Sequence, residues 1–500
     1  MAPTEMPSAV DWRARARDMT LPRKALIDGA FVDAADGATF ARYNPATGRH
    51  LADVAECGEA DVDRAVRVAR ARFDSGVWSR KAPSERKAVM LHWAELLRAH
   101  ADEIALLETL EVGKPISDTT AADAKACAAH IQWYAEAIDK VYDEVAPTGP
   151  GTLTTITREP MGVVAGVVPW NYPSIIASWK MGPALAAGNA MILKPAEQSP
   201  LAALRIGELA MAAGIPAGVL QILPGRGHVT GQALGLHPDV DAVGFTGSGE
   251  VGRKFLRYAA DTNMKRIALE CGGKSPQIVT RDCGDLDAAA RAIAYGIWYN
   301  CGQTCHAGSR LVVDRRVKDA VIDRVAGWAD HFKPGDPLDP ATTLGPLVEP
   351  EALQNVSNMV ESARQNGARV LVGGDRALAS SGGNFYAPTM LDNVSNDMAI
   401  AREEIFGPVL TVLECDGLDD GLRIANDSRY GLAASVWTDR IGDAHRAAGA
   451  LRAGTVFVNT YDESAPMTPF GGYKESGIGR DRSLHAFDKY TEIKTTWVAL

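Results

Sequence analysis

The sequence predicts an α/β protein whose parallel sheets are covered by helices, and three observations carry that prediction. From Met161 to Ile267, aliphatic runs (GVVAGVVP, AMILKP, GVLQILPG, AVGFTGS) alternate with amphipathic segments, the pattern of strands joined by crossover helices. The alternation resumes with longer helices from Glu270 to about Phe470. A chain of 500 residues, at about 150 per domain, has room for about three domains.

The elements follow in order. Ala25 to Tyr43 reads as strands and turns. Helical faces follow at Asp61–Phe73 (Val62, Ala65, Val66, Ala69, Phe73), at Ser84–His100 with Ser84 as the cap, at Asp102–Glu111 and at Ala121–Tyr142. TLTTITRE, between Val145 and Glu159, alternates Thr with aliphatic residues, a hairpin-like excursion suited to subunit pairing. The closing KYTEIKTTWVAL is a second strand-like strip, available to pair with it. Met161–Trp179 carries no charge and is long enough to span a membrane, but Pro169, Asn171 and Pro173 interrupt it and Lys180 follows. A buried strand, a loop and a helix are therefore expected.

Composition excludes several function classes. With 52 Lys and Arg against 62 Asp and Glu, the net charge is −10, the wrong sign for a protein that binds nucleic acid through its phosphates. Seven cysteines, an odd number thinly spread, are no secreted disulfide framework and indicate a reducing compartment. Asp11, Arg13, Arg15, Arg17 and Asp18 break any apolar leader near the N-terminus, so a cytoplasmic, membrane-free protein is expected.

Three short segments carry chemistry. Gly247-Ser248-Gly249-Glu250-Val251-Gly252 fits G-x-G-x-x-G after a strand and before a helix, where free N–H groups receive a pyrophosphate; a tight turn without ligand is the competing reading. Lys194 and Glu197 follow the strand AMIL, placed for ribose hydroxyls, and Glu197 would repel a 2′-phosphate, favouring NAD over NADP. Alone, the pair reads more readily as a surface salt bridge. In NCGQTCHAGSR (300–310) a cysteine sits in a Gly- and Ser-rich turn, where a thiol can be exposed and activated. A buried structural Cys competes. Metal ligation lacks a second spaced pair, and Cys301, Cys305 and His306 have the wrong spacing for haem attachment.

Taken together, PWNYP (169–173), KPAEQSP (194–200), FTGSGEVG (245–252), LECGGKSP (269–276), NCGQTCHAGSR (300–310), EEIFGPV (403–409) and PFGGYKESGIGR (469–480) resemble the NAD(P)-dependent aldehyde dehydrogenase superfamily over nearly the whole chain. The resemblance implies two Rossmann-like parallel α/β domains plus a small β element for oligomerisation. Residues 1–143 and 160–269 would bind NAD, 270–475 would form the catalytic domain, and 144–159 with 485–500 would pair subunits into a homodimer or homotetramer. Cys305 resembles the nucleophile, Asn171 the oxyanion donor and Glu270 the base for hydrolysis, with Lys180 in a proton relay. Val168, Pro169, Trp170, Lys194, Glu197, Gly227, Gly231, Thr246, Gly247, Ser248, Val251, Glu404 and Phe406 match cofactor positions; no metal is implied. The cofactor would be NAD, with NADP less favoured.

Tyr172, Ile176 and Trp179 share one helical face that in this family lines the substrate tunnel, with Phe470 beside it. Asp123, Asp462 and Glu463 are expected near its mouth, where acidic and aromatic groups favour a cationic tail. The segments WYAEAIDKVYDEVAP, NMKRIALECGGKS and GRDRSLHAFDKYTE resemble the γ-glutamyl-γ-aminobutyraldehyde and guanidinobutyraldehyde dehydrogenases of bacterial polyamine breakdown. The expected small-molecule substrate is thus an ω-amino or γ-glutamylamino-substituted aldehyde. A broad-specificity aldehyde dehydrogenase, transfer to coenzyme A, and a non-catalytic NAD-binding protein are the rival readings. A Cys301–Cys305 disulfide formed on oxidation is a further expectation.

Overall fold

The computed structural model describes residues 10–500; residues 1–9 of the expected segment 1–143 lie outside the described residues. One sheet has eight strands in the order Gly477–Ile478, Arg266–Glu270, Ala242–Thr246, Val163–Val167, Ala190–Lys194, Leu220–Ile222, Ala25–Ile27 and Ala30–Val32. Its middle strands run parallel and its outer ones antiparallel. Val163, Ala165 and Val167 enter one core with Phe255 and Leu269, while Val164 enters another with Met191, Leu193 and the helices of residues 83–212. Burial on both faces is why these strands read as unbroken aliphatic runs.

The strand order reverses between Val163–Val167 and Ala242–Thr246. From Val163–Val167 the chain steps outward twice, then returns to the opposite side of that strand. The crevice at the carboxyl ends of two strands flanking such a reversal is where open α/β sheets take ligands. Val168, Pro169 and Trp170 leave one of these strands, and Gly247 and Ser248 leave the other.

A seven-stranded sheet, with its own core, follows the order Arg369–Val372, Thr389–Asp392, Val409–Cys415, Arg310–Asp314, Pro276–Val279, Ala433–Trp437 and Thr455–Val458. Only the edge strand Arg369–Val372 is antiparallel to its neighbour. The chain does not end in this sheet, because Gly477–Ile478 returns to pair with Leu269 and Glu270. A third sheet lays Thr491–Ala499 along Thr152–Pro160 in a continuous antiparallel register, with Glu144–Ala146 on the other side.

The apolar stretch 161–179 becomes the strand Val163–Val167, a loop and the first half of the helix Pro173–Ala187. No helix among the described residues is long and apolar enough to cross a membrane. Two local expectations need correction. The helix expected to be capped by Ser84 starts at Pro83 with Ala82 as its N-cap; Pro fits the first helical position, and Glu85 reaches back to the Ala82 N–H at 3.2 Å. The helix expected over Ala121–Tyr142 spans Ala124–Ala137 and is entered through a wider π-turn at Thr119–Asp123.

Candidate active site

Of the seven cysteines, all unpaired, only Cys305 is not buried. It sits between the helix Leu286–Trp298 and the strand Arg310–Asp314, facing a cavity of about 360 Å³. The loop before it is pinned by side-chain amides. Asn171 Nδ2 donates to the Gln303 carbonyl at 2.9 Å, and Asn300 Nδ2 donates to the Asn171 and Gln303 carbonyls at 3.2 Å. The Gln303 side chain in turn bonds Pro346 and Val348. Gly302 has φ +69°, and a Cβ there would run into the Gly407 carbonyl, so a left-handed glycine lets this loop press against the 403–409 segment. Cys301 lies in the core of the second sheet, 1 % exposed, and both it and Cys305 are unpaired as folded.

Glu270 ends the strand Arg266–Glu270 and is buried, with Oε2 lacking any partner among the described residues. Burial, followed by the charge of Asp481, pushes its carboxyl well above the usual range. Lys180 does not bond Glu270. Its ammonium binds Asp481 at 2.5 Å, Lys489 binds the other Asp481 oxygen, and all three side chains are almost wholly buried. A Cβ on Gly471, where φ is +154°, would come within 2.6 Å of Glu270 Oε1.

At the strand reversal, Thr246 Oγ1 is buried without a partner. Ser248 caps the helix Gly249–Ala260, its Oγ accepting from Val251 N at 3.3 Å. Lys194 is 2 % exposed, so its 3.2 Å bond to Glu197 is no surface salt bridge. Burial opposes ionisation of Glu197, but the Lys194 ammonium together with the backbone N–H groups of Glu197 and Gly227 outweighs it and holds the carboxyl below its usual range. Gly227 and Gly231 bound a short turn beside Glu197; a Cβ on Gly227 would meet nothing closer than Glu197 Oε2, at 3.9 Å. Val168 N–H bonds the Lys194 carbonyl, linking the two strand ends. Glu404 accepts from Gly273 N at 3.3 Å and is pushed up to about 7 by burial. Phe406 stands edge-on to Trp170 at 5.4 Å. An open, glycine-lined turn, an unpaired hydroxyl and a helix N-terminus converge here, and these residues fit a dinucleotide.

Tyr172, Ile176, Trp179, Phe470, Asp462 and Asp123 all line the cavity above Cys305. The expected acidic mouth is corrected in part. Asp123 is 1 % exposed and ion-paired with Lys114, whose ammonium also lies 3.7 Å from the Tyr172 ring centre. Asp462 binds His306. Arg482, which sequence reasoning missed, stacks on Trp179 and Phe470 at 5.2 and 5.0 Å and brings a cation into the same wall. Asp481, Lys489 and His306 were missed as well. His306 directly follows Cys305 and Asp481 adjoins Arg482, adjacencies that were the only signal.

A partly exposed thiol on a cavity wall, a buried carboxyl and a doubly wound sheet with an open crevice at its strand reversal are the features of a thiol-bearing dehydrogenase. The aldehyde dehydrogenase family model matches residues 31–496. The chain is 47 % identical over 489 residues to the NADP/NAD-dependent aldehyde dehydrogenase PuuC of Escherichia coli, covering 98 % of each. It superposes with a TM-score of 0.97 on an indole-3-acetaldehyde dehydrogenase complexed with NAD+, at 52 % identity, covering 98 % of this chain and 99 % of that one. The same TM-score, identity and coverage hold for γ-glutamyl-γ-aminobutyraldehyde dehydrogenase from Burkholderia cenocepacia. The chain belongs to the aldehyde dehydrogenase family, and it oxidises aldehydes with NAD or NADP.

Proposed function

We propose that Cys305 attacks the aldehyde carbonyl and that the enzyme releases a free carboxylic acid. The observation that carries this reading is the placement of the one incompletely buried thiol at the cavity wall, on a loop tied to Asn171. Attack forms a C–S bond and places the negative charge on oxygen. Asn171 Nδ2, with one proton not used by Gln303, and the Cys305 N–H serve as its donors; losing one such donor costs about 10²–10³ in rate. Lys194, Glu197, Ser248, Glu404 and Phe406 hold NAD, which when bound accepts the hydride. Glu270 then draws a proton from water, which attacks the Cys305 thioester. Its raised affinity for a proton suits a base working near neutral pH. Lys180, expected in a relay, supports Asp481 instead and adjusts the charge around Glu270.

The substrate follows from the cavity wall and the relatives. Aromatic faces at Trp179, Phe470 and Tyr172 are interspersed with the carboxylates Asp462 and Glu463 and the guanidinium of Arg482. A γ-glutamylamino tail, bearing one ammonium and one carboxylate, matches that mixture, and two relatives of this chain are named a γ-glutamyl-γ-aminobutyraldehyde dehydrogenase and an aminoacetaldehyde dehydrogenase. With either nucleotide, kcat/KM for γ-glutamylaminobutyraldehyde should exceed that for hexanal and benzaldehyde by at least about tenfold, or roughly 1.4 kcal/mol. A preference for the simple aldehydes, or for indole-3-acetaldehyde, overturns this assignment. NAD should outperform NADP because Glu197 faces the ribose site.

The seven unpaired thiols support a cytoplasmic location. Subunits pair through the three-stranded sheet, where Ile493 and Trp497 are 62 % and 66 % exposed. Light scattering should give a dimer or tetramer that Trp497→Lys weakens; an unchanged assembly would place the contact elsewhere.

A further inference from the structure

We propose that His306 and Asp462 form a relay with Cys305 that takes the thiol proton and keeps the sulfur as a thiolate, leaving Glu270 to the hydrolytic half of the cycle alone. The inference rests on Cys305 being the nucleophile. His306 Nδ1 lies 3.6 Å from Cys305 Sγ, and its Nε2 lies 2.6 Å from Asp462 Oδ1. With Nε2–H donating to the carboxylate, Nδ1 is the nitrogen that faces sulfur with a free lone pair. The ring is fixed on other sides too. Phe470 stands edge-on to it at 5.5 Å, and Tyr461 lies 6.4 Å away while its hydroxyl donates to the His306 carbonyl. Base, orienting carboxylate and nucleophile thus come from two loops that meet at the cavity.

Proton transfer breaks the S–H bond and forms Nδ1–H, leaving an imidazolium between the Asp462 carboxylate and the thiolate. No electrons are exchanged, and the sulfur's charge passes to the carbonyl oxygen on attack. Burial opposes a charged imidazole, but the Asp462 carboxylate, its hydrogen bond and the Cys305 sulfur outweigh it and hold His306 up at about 10. The other charged and titratable groups around the cavity are Glu463, His130, Arg482, the phenols of Tyr172 and Tyr299, and the ion pair of Asp123 with Lys114. Among the described residues, only Asp462 and Cys305 bond the imidazole directly. Glu270 is a poor alternative for the thiol proton, since its carboxyl lies against Gly471 and makes no bond to Cys305.

The test is alkylation of Cys305 by iodoacetamide as a function of pH, read by peptide mass, beside the pre-steady-state burst of NADH. The unsubstituted enzyme should label at a nearly constant rate between about pH 6 and 8, as a thiolate does. His306→Asn should label at least about tenfold more slowly near pH 6.5 and recover at alkaline pH, with its burst slowed in parallel. Asp462→Asn, a positioning change, should shift the profile the same way by a smaller amount. Glu270→Gln should keep both the labelling profile and the burst and lose only the later turnovers. Superimposable profiles for a folded, NAD-binding His306→Asn and the unsubstituted enzyme would overturn the relay. So would a rate that climbs tenfold per pH unit in the unsubstituted enzyme. A Cys305→Ser enzyme that still turns over would instead remove the nucleophile on which the relay rests, a distinguishable failure.

Discussion

Replacing Cys305 with serine is expected to lower kcat by about 10⁴-fold or more and to abolish the NADH burst, because an alcohol is ionised far less than a thiol near neutral pH and is a much weaker nucleophile. The effect should fall on kcat rather than on NAD affinity, since Lys194, Glu197 and Ser248 are held by bonds to Glu197, Lys194 and Val251 and not to Cys305. No comparable loss should follow at Cys57, Cys127, Cys283 or Cys415, which are buried away from the cavity. Steady-state NADH formation and a fluorescence titration with NAD separate the two quantities. Retention of full turnover by Cys305→Ser would refute thiol chemistry at this position.

The second large effect concerns stability. Asp481 binds Lys180 through one oxygen and Lys489 through the other, at a point with essentially no exposure. Asp481→Asn leaves two buried ammonium groups without a counter-charge, and breaking a buried pair from one side typically costs about 3–5 kcal/mol. Burial alone would raise the Asp481 carboxyl, but the two ammonium groups more than reverse this and hold it below its ordinary value. The sign follows from linkage: a carboxyl depressed in the folded state contributes stability above its unfolded value, and that contribution is lost as pH falls through the folded one. Urea unfolding at neutral pH should therefore show a much lower midpoint for Asp481→Asn, with the gap narrowing in acid. Equal midpoints at neutral pH would mean that the cluster contributes nothing net.

What was legible in the sequence was whatever is periodic or contiguous. Strands such as Val163–Val167 are buried on both faces, so burial appears as an unbroken run, and the small-residue turn at Gly247 and Ser248 adjoins the helix expected after it. Ser84 misled because Pro83 occupies the first helical turn just as well and Glu85 supplies the missing acceptor to Ala82. Pairings across the fold left no local trace. Lys180 meets a carboxylate 301 residues later, and His306 meets one 156 residues later. Asp123 looked like a free acid because its partner, Lys114, lies beyond a turn and a π-helical step that periodicity does not resolve.

The return of Gly477–Ile478 to the strand that carries Glu270 bears on how the protein is made. On the ribosome, the strands from Val163 to Glu270 emerge long before the residues that complete them. Until Asp481 and Lys489 follow, Lys180 is a solitary charge in what must become a dry interior, and early compaction of the N-terminal half is penalised. The strand that closes over Glu270 and the Asp481 cluster is therefore complete only once residues 477–489 have emerged. A chain cut between residues 310 and 477 would carry the Cys305 loop without the strand that pairs beside Glu270.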